Sequence, residues 1–193
     1  MLGYTDIRDM VIKGSIKFLK EAEEKMEEIR NVISKISDDQ IDILYEIILG
    51  VYESDSIEFL ETLADKLNED DEIQYSFNLL SLLVTKHNGC KDSVISKILI
   101  MLLENSDVSV GIKALSKLAE HKKINDNLSK RQIGDTLYTM FTKVEDILEK
   151  EKMYICIRQL EITNSFLKKG RKKREFTEEE NRLIKRIDKN NAA

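Results

Sequence analysis

The spacing of apolar residues is the feature that most constrains how this chain can fold. Between Glu104 and His121, apolar side chains recur at steps of three and four residues, which places them on one face of a helix. These side chains are Val110, Ala114, Leu115, Leu118 and Ala119. Similar segments precede and follow this one, and no segment shows the sustained period-two alternation of a β-strand. The sequence therefore predicts an all-α fold.

Helix-start signals divide the chain into eight or nine helical segments. A Ser or Thr followed three residues later by Gln or Glu has the spacing of a capping box, in which each side chain binds the other residue's free backbone N–H. Such pairs are Ser37 with Gln40, Ser129 with Gln132, and Thr177 with Glu180. In the central segment, Ser106 or Asp107 is the expected N-cap. The pattern from 146 to 167 is that of one helix, with Gly170 as its stop.

The helical segments recur at similar intervals. Expected helix starts near Asp39, Asp71 and Asp107 lie 32 and 36 residues apart, with a second helix in each interval. The pattern Asp107-x-x-Val110-x-x-x-Ala114-Leu115-x-x-Leu118 resembles the first helix of a HEAT repeat, within the armadillo-like α-solenoid class.

Residues 71–82 look like a second copy of this helix, with Leu79 and Leu82 at the positions of Leu115 and Leu118. The resemblance covers residues 38–168. It implies antiparallel helix pairs stacked as a short α-solenoid, with an extended surface for partner proteins. A compact, non-repeating helical bundle remains the structural alternative.

The expected domain organisation follows from the extent of the repeat. Residues 1–170 form an α-helical repeat domain, and residues 171–193 form a basic linker with a short C-terminal helix. A chain of 193 residues is long enough for a domain with a substantial core.

Charge is distributed unevenly along the chain. Between Asp38 and Glu72 there are thirteen carboxylates and one base, Lys66. The spacing of these acids matches neither a calcium loop nor a pair of catalytic carboxylates. They are interpreted as helix caps, and the alternative is an acidic face for a basic partner.

The basic segment is the opposite extreme, with six cations in seven residues. These are Lys168, Lys169, Arg171, Lys172, Lys173 and Arg174. Without them the net charge of −5 becomes −11, which favours a local basic arm over a general nucleic-acid-binding surface. The segment is either a solvated linker paired with nearby glutamates or a contact for nucleic-acid phosphates. Only Phe166 and Phe176 flank it, which is too little for base stacking.

Residues with catalytic chemistry lack the spacing that catalysis requires. His87 and His121 each follow a helical stretch and have no metal-ligand motif, so helix-end roles are expected. The sequence has no phosphate-binding glycine motif and no G-x-S-x-G elbow. We therefore expect no catalytic residue, cofactor site or metal site, and a non-catalytic protein-interaction module. Nucleic-acid association through the basic segment is the alternative function.

The remaining sequence signals concern location. Cys90 and Cys156 are isolated thiols, which fit a reducing compartment. The first ten residues lack the apolar segment of a signal peptide. The longest apolar run, 98–103, is six residues, too short to span a bilayer. The expected setting is the cytoplasm, with another protein as the main partner and no membrane association.

Overall fold

The computed structural model describes most of the second half of the chain and parts of the first. The described residues are 8–9, 32–37, 40, 43–46, 60–61, 63–64, 73–86, 90–121, 124–173 and 176–190, with backbone alone at 86 and 169–173. Every regular element within these residues is helical, which confirms the predicted all-α class.

Seven helices lie wholly within the described residues. They are α1 (Ile73–Lys86), α2 (Asp92–Asn105), α3 (Val108–His121), α4 (Asn127–Lys143), α5 (Ile147–Gln159), α6 (Thr163–Lys173) and α7 (Glu178–Asn190). Residues 32–35 and 43–46 are also helical. The chain divides into two compact units, 1–98 and 99–193, and the dividing point falls inside α2. The predicted boundary after residue 170 stays a prediction.

In unit 1, helix α1 is buried on most sides, and the polar residues Ser76, Asn78 and Ser81 are buried with it. Asn78 is fully buried, and its side-chain amide donates to the carbonyls of Ile33 at 2.6 Å and Ile36 at 3.0 Å. Carbonyls at a helix C-terminus have no partner within their own helix. Asn78 therefore caps the helical residues 32–35 from 42 and 45 positions away in sequence.

In unit 2, the most extensive helix contacts join second neighbours along the chain, and α5 also touches α4 and α6. Contacts join α3 with α5, α4 with α6, and α5 with α7. The approach of α4 to α6 is close at Gly134, where a Cβ atom would lie 2.8 Å from Cβ of Ser165 and 3.0 Å from the backbone nitrogen of Phe166. Contacts between second neighbours are what two layers of stacked helices produce.

Helix α3 follows the central sequence pattern. Asp107 precedes it, and the Asp107 carbonyl accepts the N–H groups of Val110 and Gly111. Ala114, Leu115 and Leu118 are fully buried, as the spacing predicted. Val110 and Ala119, which were assigned to the same face, are only half-buried.

Leu79 and Leu82 in α1 are fully buried, like Leu115 and Leu118 in α3. Asp39 and Asp71 lie outside the described residues, so the predicted helix starts at these two positions, 32 residues apart, stay predictions. The HEAT resemblance stays a prediction.

The single helix predicted from 146 to 167 is wrong, because the chain forms two helices, α5 and α6. They are separated by a Schellman motif in which the Ile162 N–H donates to the Ile157 carbonyl at 3.1 Å and the Glu161 N–H donates to the Arg158 carbonyl at 3.0 Å. Glu161 has a φ of 57°, a left-handed conformation that usually takes glycine. No Gly or Pro marks the turn, so sequence gave no signal for it.

Helix ends differ from the predictions at two further places. Helix α6 continues past Gly170 to Lys173. Helix α4 begins at Asn127, because Asp126 is the N-cap and accepts the Ser129 N–H at 2.7 Å. Ser129 therefore lies inside the first turn, and the predicted capping box of Ser129 with Gln132 is wrong.

The other two predicted capping boxes have hydrogen bonds in the structure. At α7, the Thr177 N–H donates to Glu180 at 2.8 Å and the Glu180 N–H donates to the Thr177 hydroxyl at 3.2 Å, which confirms the predicted capping box. For Ser37 and Gln40, the Ser37 N–H donates to the Gln40 side chain at 3.2 Å, which is one of the two bonds of that predicted box.

Candidate interaction surfaces

The basic segment is only partly described. Lys168 is exposed on α6. The backbone at Lys169, Arg171, Lys172 and Lys173 is helical, but their side chains, and all of Arg174, lie outside the described residues. The structure therefore places most of this segment at the end of a helix and leaves its phosphate-contact role a prediction.

The two phenylalanines beside the basic segment belong to the core of unit 2. Phe166 is fully buried and Phe176 is half-buried. Their ring centroids lie 5.5 Å apart, and both rings pack edge-on against Tyr138 and Phe141 at 5.3 to 6.2 Å. Their role is packing, in agreement with the expectation that they do not stack on bases.

Most of the acid-rich region 38–72 lies outside the described residues, but Glu61 is described and has a structural role. It is 8% exposed, and its two carboxylate oxygens accept the Lys91 backbone N–H and the Lys91 ammonium, each at 2.9 Å. Burial alone raises the pKa of Glu61, but the hydrogen bonds from Lys91 outweigh it and hold the pKa below its ordinary value. Lys91 precedes α2, and its own carbonyl accepts the N–H groups of Val94 and Ile95.

The histidines and cysteines form no described chemical site. His121 is exposed in the last turn of α3, the helix-end position that was predicted, and His87 lies outside the described residues. Cys90 and Cys156 are both buried free thiols. Burial raises the pKa of Cys156, whose sulfur lies 3.6 Å from the Ser116 hydroxyl. Among the described residues, no group of three His, Cys, Asp or Glu could hold a metal ion.

An open groove of about 570 Å³ lies between the C-terminal end of α2, the start of α3 and one face of α4. Its lining residues are Leu103, Glu104, Ser106, Val108, Asp135, Thr136, Thr139, Met140 and Lys143. Glu104, Thr139 and Lys143 are exposed, and Leu103 and Met140 are each 7% exposed. The groove combines a buried apolar base with charged and hydroxyl groups at its rim.

Gly111 keeps the base of this groove compact. A Cβ atom at Gly111 would lie 3.0 Å from Cε of Met140 and 3.3 Å from Cδ2 of Leu103. At the rim, the Thr136 hydroxyl lies 3.5 Å from a carboxylate oxygen of Glu104 and ties α4 to α2. These contacts fix the separation of the groove walls.

Polar groups also join α5 to α7. The Lys150 ammonium donates to Glu180, and Arg158 forms an ion pair with Asp188. The Tyr154 hydroxyl donates to the two oxygens of Asp188 at 3.1 and 3.3 Å. Burial and the Asp188 carboxylate raise the pKa of Tyr154 well above its ordinary value. Both ion pairs join residues 30 positions apart, so the two helices run parallel.

Sequence reasoning missed the groove, the tertiary cap at Asn78 and the buried pair of Lys150 with Glu180. The groove and the two polar contacts join residues about 30 or more positions apart, with no shared motif. A charged residue in an apolar stripe was the only available signal for Lys150.

Comparisons with protein-family models, with curated proteins and with solved structures give no match. None of the described helices is long and apolar enough to cross a membrane.

Proposed function

We propose that this chain is a non-catalytic protein-interaction or scaffold module built on stacked, HEAT-like helix pairs. The observation that carries the proposal is the packing of second neighbours in unit 2, where α3 contacts α5, α4 contacts α6, and α5 contacts α7. In solenoids, such stacking buries one side of each helix and leaves an extended surface for partners.

The groove beside Thr139 is the proposed docking site in unit 2. Its buried base of Leu103 and Met140 offers apolar area, and its rim of Glu104, Asp135 and Lys143 offers charge. Protein interfaces commonly combine an apolar centre with a polar rim. A partner segment that inserts one apolar side chain between these charges fits this arrangement.

A structural use of the polar side chains supports a non-catalytic role. Lys150, Tyr154, Glu180 and Asp188 have the chemistry of acids, bases and nucleophiles, but they pair with one another between α5 and α7. The buried free thiols Cys90 and Cys156 fit a reducing cytoplasm, which we infer as the location.

Two threonines on α4 allow a matched test. Thr139 and Thr142 are both exposed, and each hydroxyl donates to a backbone carbonyl of its own helix, but only Thr139 lines the groove. Thr139→Arg puts a long side chain into the groove, whereas Thr142→Arg puts the same side chain outside it. The wild-type chain and the Thr142→Arg variant should co-purify with one stoichiometric partner from the native source.

Thr139→Arg should lose that partner while it keeps the wild-type helical circular dichroism signal and melting temperature. Equal partner recovery by both arginine variants would count against the groove. A substrate turned over by the purified chain would count against the non-catalytic function itself.

A further inference from the structure

The outward side of α7 carries an unbroken row of cations. Arg182, Lys185, Arg186 and Lys189 stand at steps of three, four and seven residues from the first, which places them on one helical face. All four are exposed, with side chains of Arg182 and Arg186 at 81% and 58%. We call these four residues the α7 cation row.

Two of the four acids of the same helix face away from this row. Glu180 and Asp188 face α5, where Lys150 and Arg158 neutralise them. Glu178 and Glu179 lie in the first turn, at the end of the helix where carboxylates are favourable. The inward acids therefore balance the cations of α5, and the four cations of the row outnumber the two remaining acids of the helix, Glu178 and Glu179.

Two members of the row have ion pairs that a stronger anion can replace. Arg182 lies 3.3 Å from Glu178, and both side chains are more than 80% exposed. Arg186 lies 2.7 Å from Glu151. Exposed pairs of this kind contribute little and are screened by salt. A phosphate group can therefore displace Glu178 at small cost, whereas the Arg186 pair is more sheltered because Glu151 is only 32% exposed.

The lack of exposed apolar side chains on α7 favours a partner that binds through charge. Leu183, Ile184 and Ile187 are all buried, so the exposed residues of α7 are polar or charged. Protein interfaces commonly have an apolar centre, and helices that lie on membranes need an apolar face. Contact with nucleic-acid phosphates needs only cations and polar donors.

From these observations we propose that the α7 cation row is a sequence-independent contact for the phosphate backbone of nucleic acid. From Arg182 to Lys189 the helix rises about 10.5 Å. A duplex strand carries one phosphate per about 3.4 Å of axis, so the row faces about three phosphates of one strand. This site is separate from the groove on α4 and from the basic segment.

The test uses the full chain and a fluorescent duplex of about 20 base pairs, with binding measured between about 50 and 200 mM salt. The double variant Lys185→Gln/Lys189→Gln should bind the duplex more weakly. Each lost phosphate contact reduces the magnitude of the slope of log K against log salt by about 0.9, so the two substitutions together should reduce it by about two. The control Lys113→Gln/Lys117→Gln makes the same charge change on α3 and should leave the slope unchanged. Circular dichroism confirms that each variant is folded.

Three results would overturn the proposal. They are no duplex binding by the wild-type chain at about 50 mM salt, an equal fall in slope for the α3 control, and binding that is unaffected by the α7 change but lost when the basic segment is neutralised. If α7 binds an acidic protein and the chain binds no duplex, the first of these results has occurred and the proposal is overturned. None of them changes the Thr139→Arg outcome, so the two proposals fail separately.

Discussion

The ammonium group of Lys150 donates to one carboxylate oxygen of Glu180, and the other oxygen accepts the Thr177 N–H at 2.8 Å. The two charged side chains are 11% and 4% exposed, and the Lys150 nitrogen lies 5.3 Å from the centre of the Phe141 ring. One carboxylate thus neutralises a buried cation of α5 and closes the capping box that begins α7. The start of α7 and its attachment to α5 therefore depend on the same group.

Glu180→Gln should destabilise unit 2 strongly. The amide keeps an oxygen for the Thr177 N–H but leaves Lys150 as a buried charge without its anion, which costs about 3–5 kcal/mol. The neighbouring substitution Glu179→Gln removes the same charge from an exposed position and should change the free energy of unfolding by less than about 0.5 kcal/mol. Urea unfolding measures both, and equal effects would show that burial of the pair is unimportant.

Gly134→Ala should destabilise the contact between α4 and α6 by about 1–3 kcal/mol. Its Cβ would lie 2.8 Å from Cβ of Ser165 and 3.0 Å from the Phe166 backbone nitrogen, so a helix must move. Gly111→Ala is the matched control, because its Cβ would meet the flexible end of Met140 at 3.0 Å. There the gain in helix propensity, about 1 kcal/mol, offsets the crowding. Thermal unfolding that ranks Gly111→Ala as the worse variant would contradict this.

Glu161→Gly should stabilise the chain by up to about 1 kcal/mol, because glycine adopts the observed φ of 57° without steric cost. The same change at Lys152, exposed within α5, should destabilise by about 1 kcal/mol through lost helix propensity. Opposite shifts in melting temperature are therefore expected. A fall for both variants would mean that the Glu161 side chain contributes more than its conformation costs.

Glu61 should make unit 1 sensitive to acid. Because its pKa is lowered in the folded state, its contribution to stability is complete above the ordinary glutamate value of about 4.3 and is lost as the pH falls through the lower folded value. Glu61→Gln should therefore show a shallower loss of stability below about pH 4.3 than the wild-type chain. Glu46→Gln, at an exposed position of the same unit, should retain the wild-type decline. Identical pH profiles for wild type and Glu61→Gln would contradict the role of this carboxylate.

The basic segment has its own test as a nucleic-acid contact. Changing its six cations to glutamine should weaken binding to duplex or single strands and reduce the salt dependence, by about 0.9 in slope for each phosphate contact that is lost. If the variant binds as tightly as the wild-type chain, the segment is a solvated helix end and makes no phosphate contact. The separate α7 variant distinguishes the two basic regions.

The parts of the fold that could be predicted from the sequence are those that depend on residues close together in the chain. Thr177 and Glu180 lie three residues apart, so their hydrogen bonds could be predicted from spacing alone. The turn at Glu161 could not, because a non-glycine residue in a left-handed conformation leaves no mark in composition. The candidate groove was equally invisible, because Glu104 and Thr136 meet only after α2 and α4 pack.

The sequence by itself determined the helical class and many of the helix starts, because helical periodicity and capping depend on residues within a few positions of each other. Only the tertiary structure decided which partners the buried polar groups have. The residues near Lys150 and Asn78 in sequence do not indicate their partners, because each side chain donates its hydrogen bonds to a group at least 30 residues away. The same packing turns Glu180 and Asp188 inward and leaves Lys185 and Lys189 in solvent, which gives α7 its positive outer face.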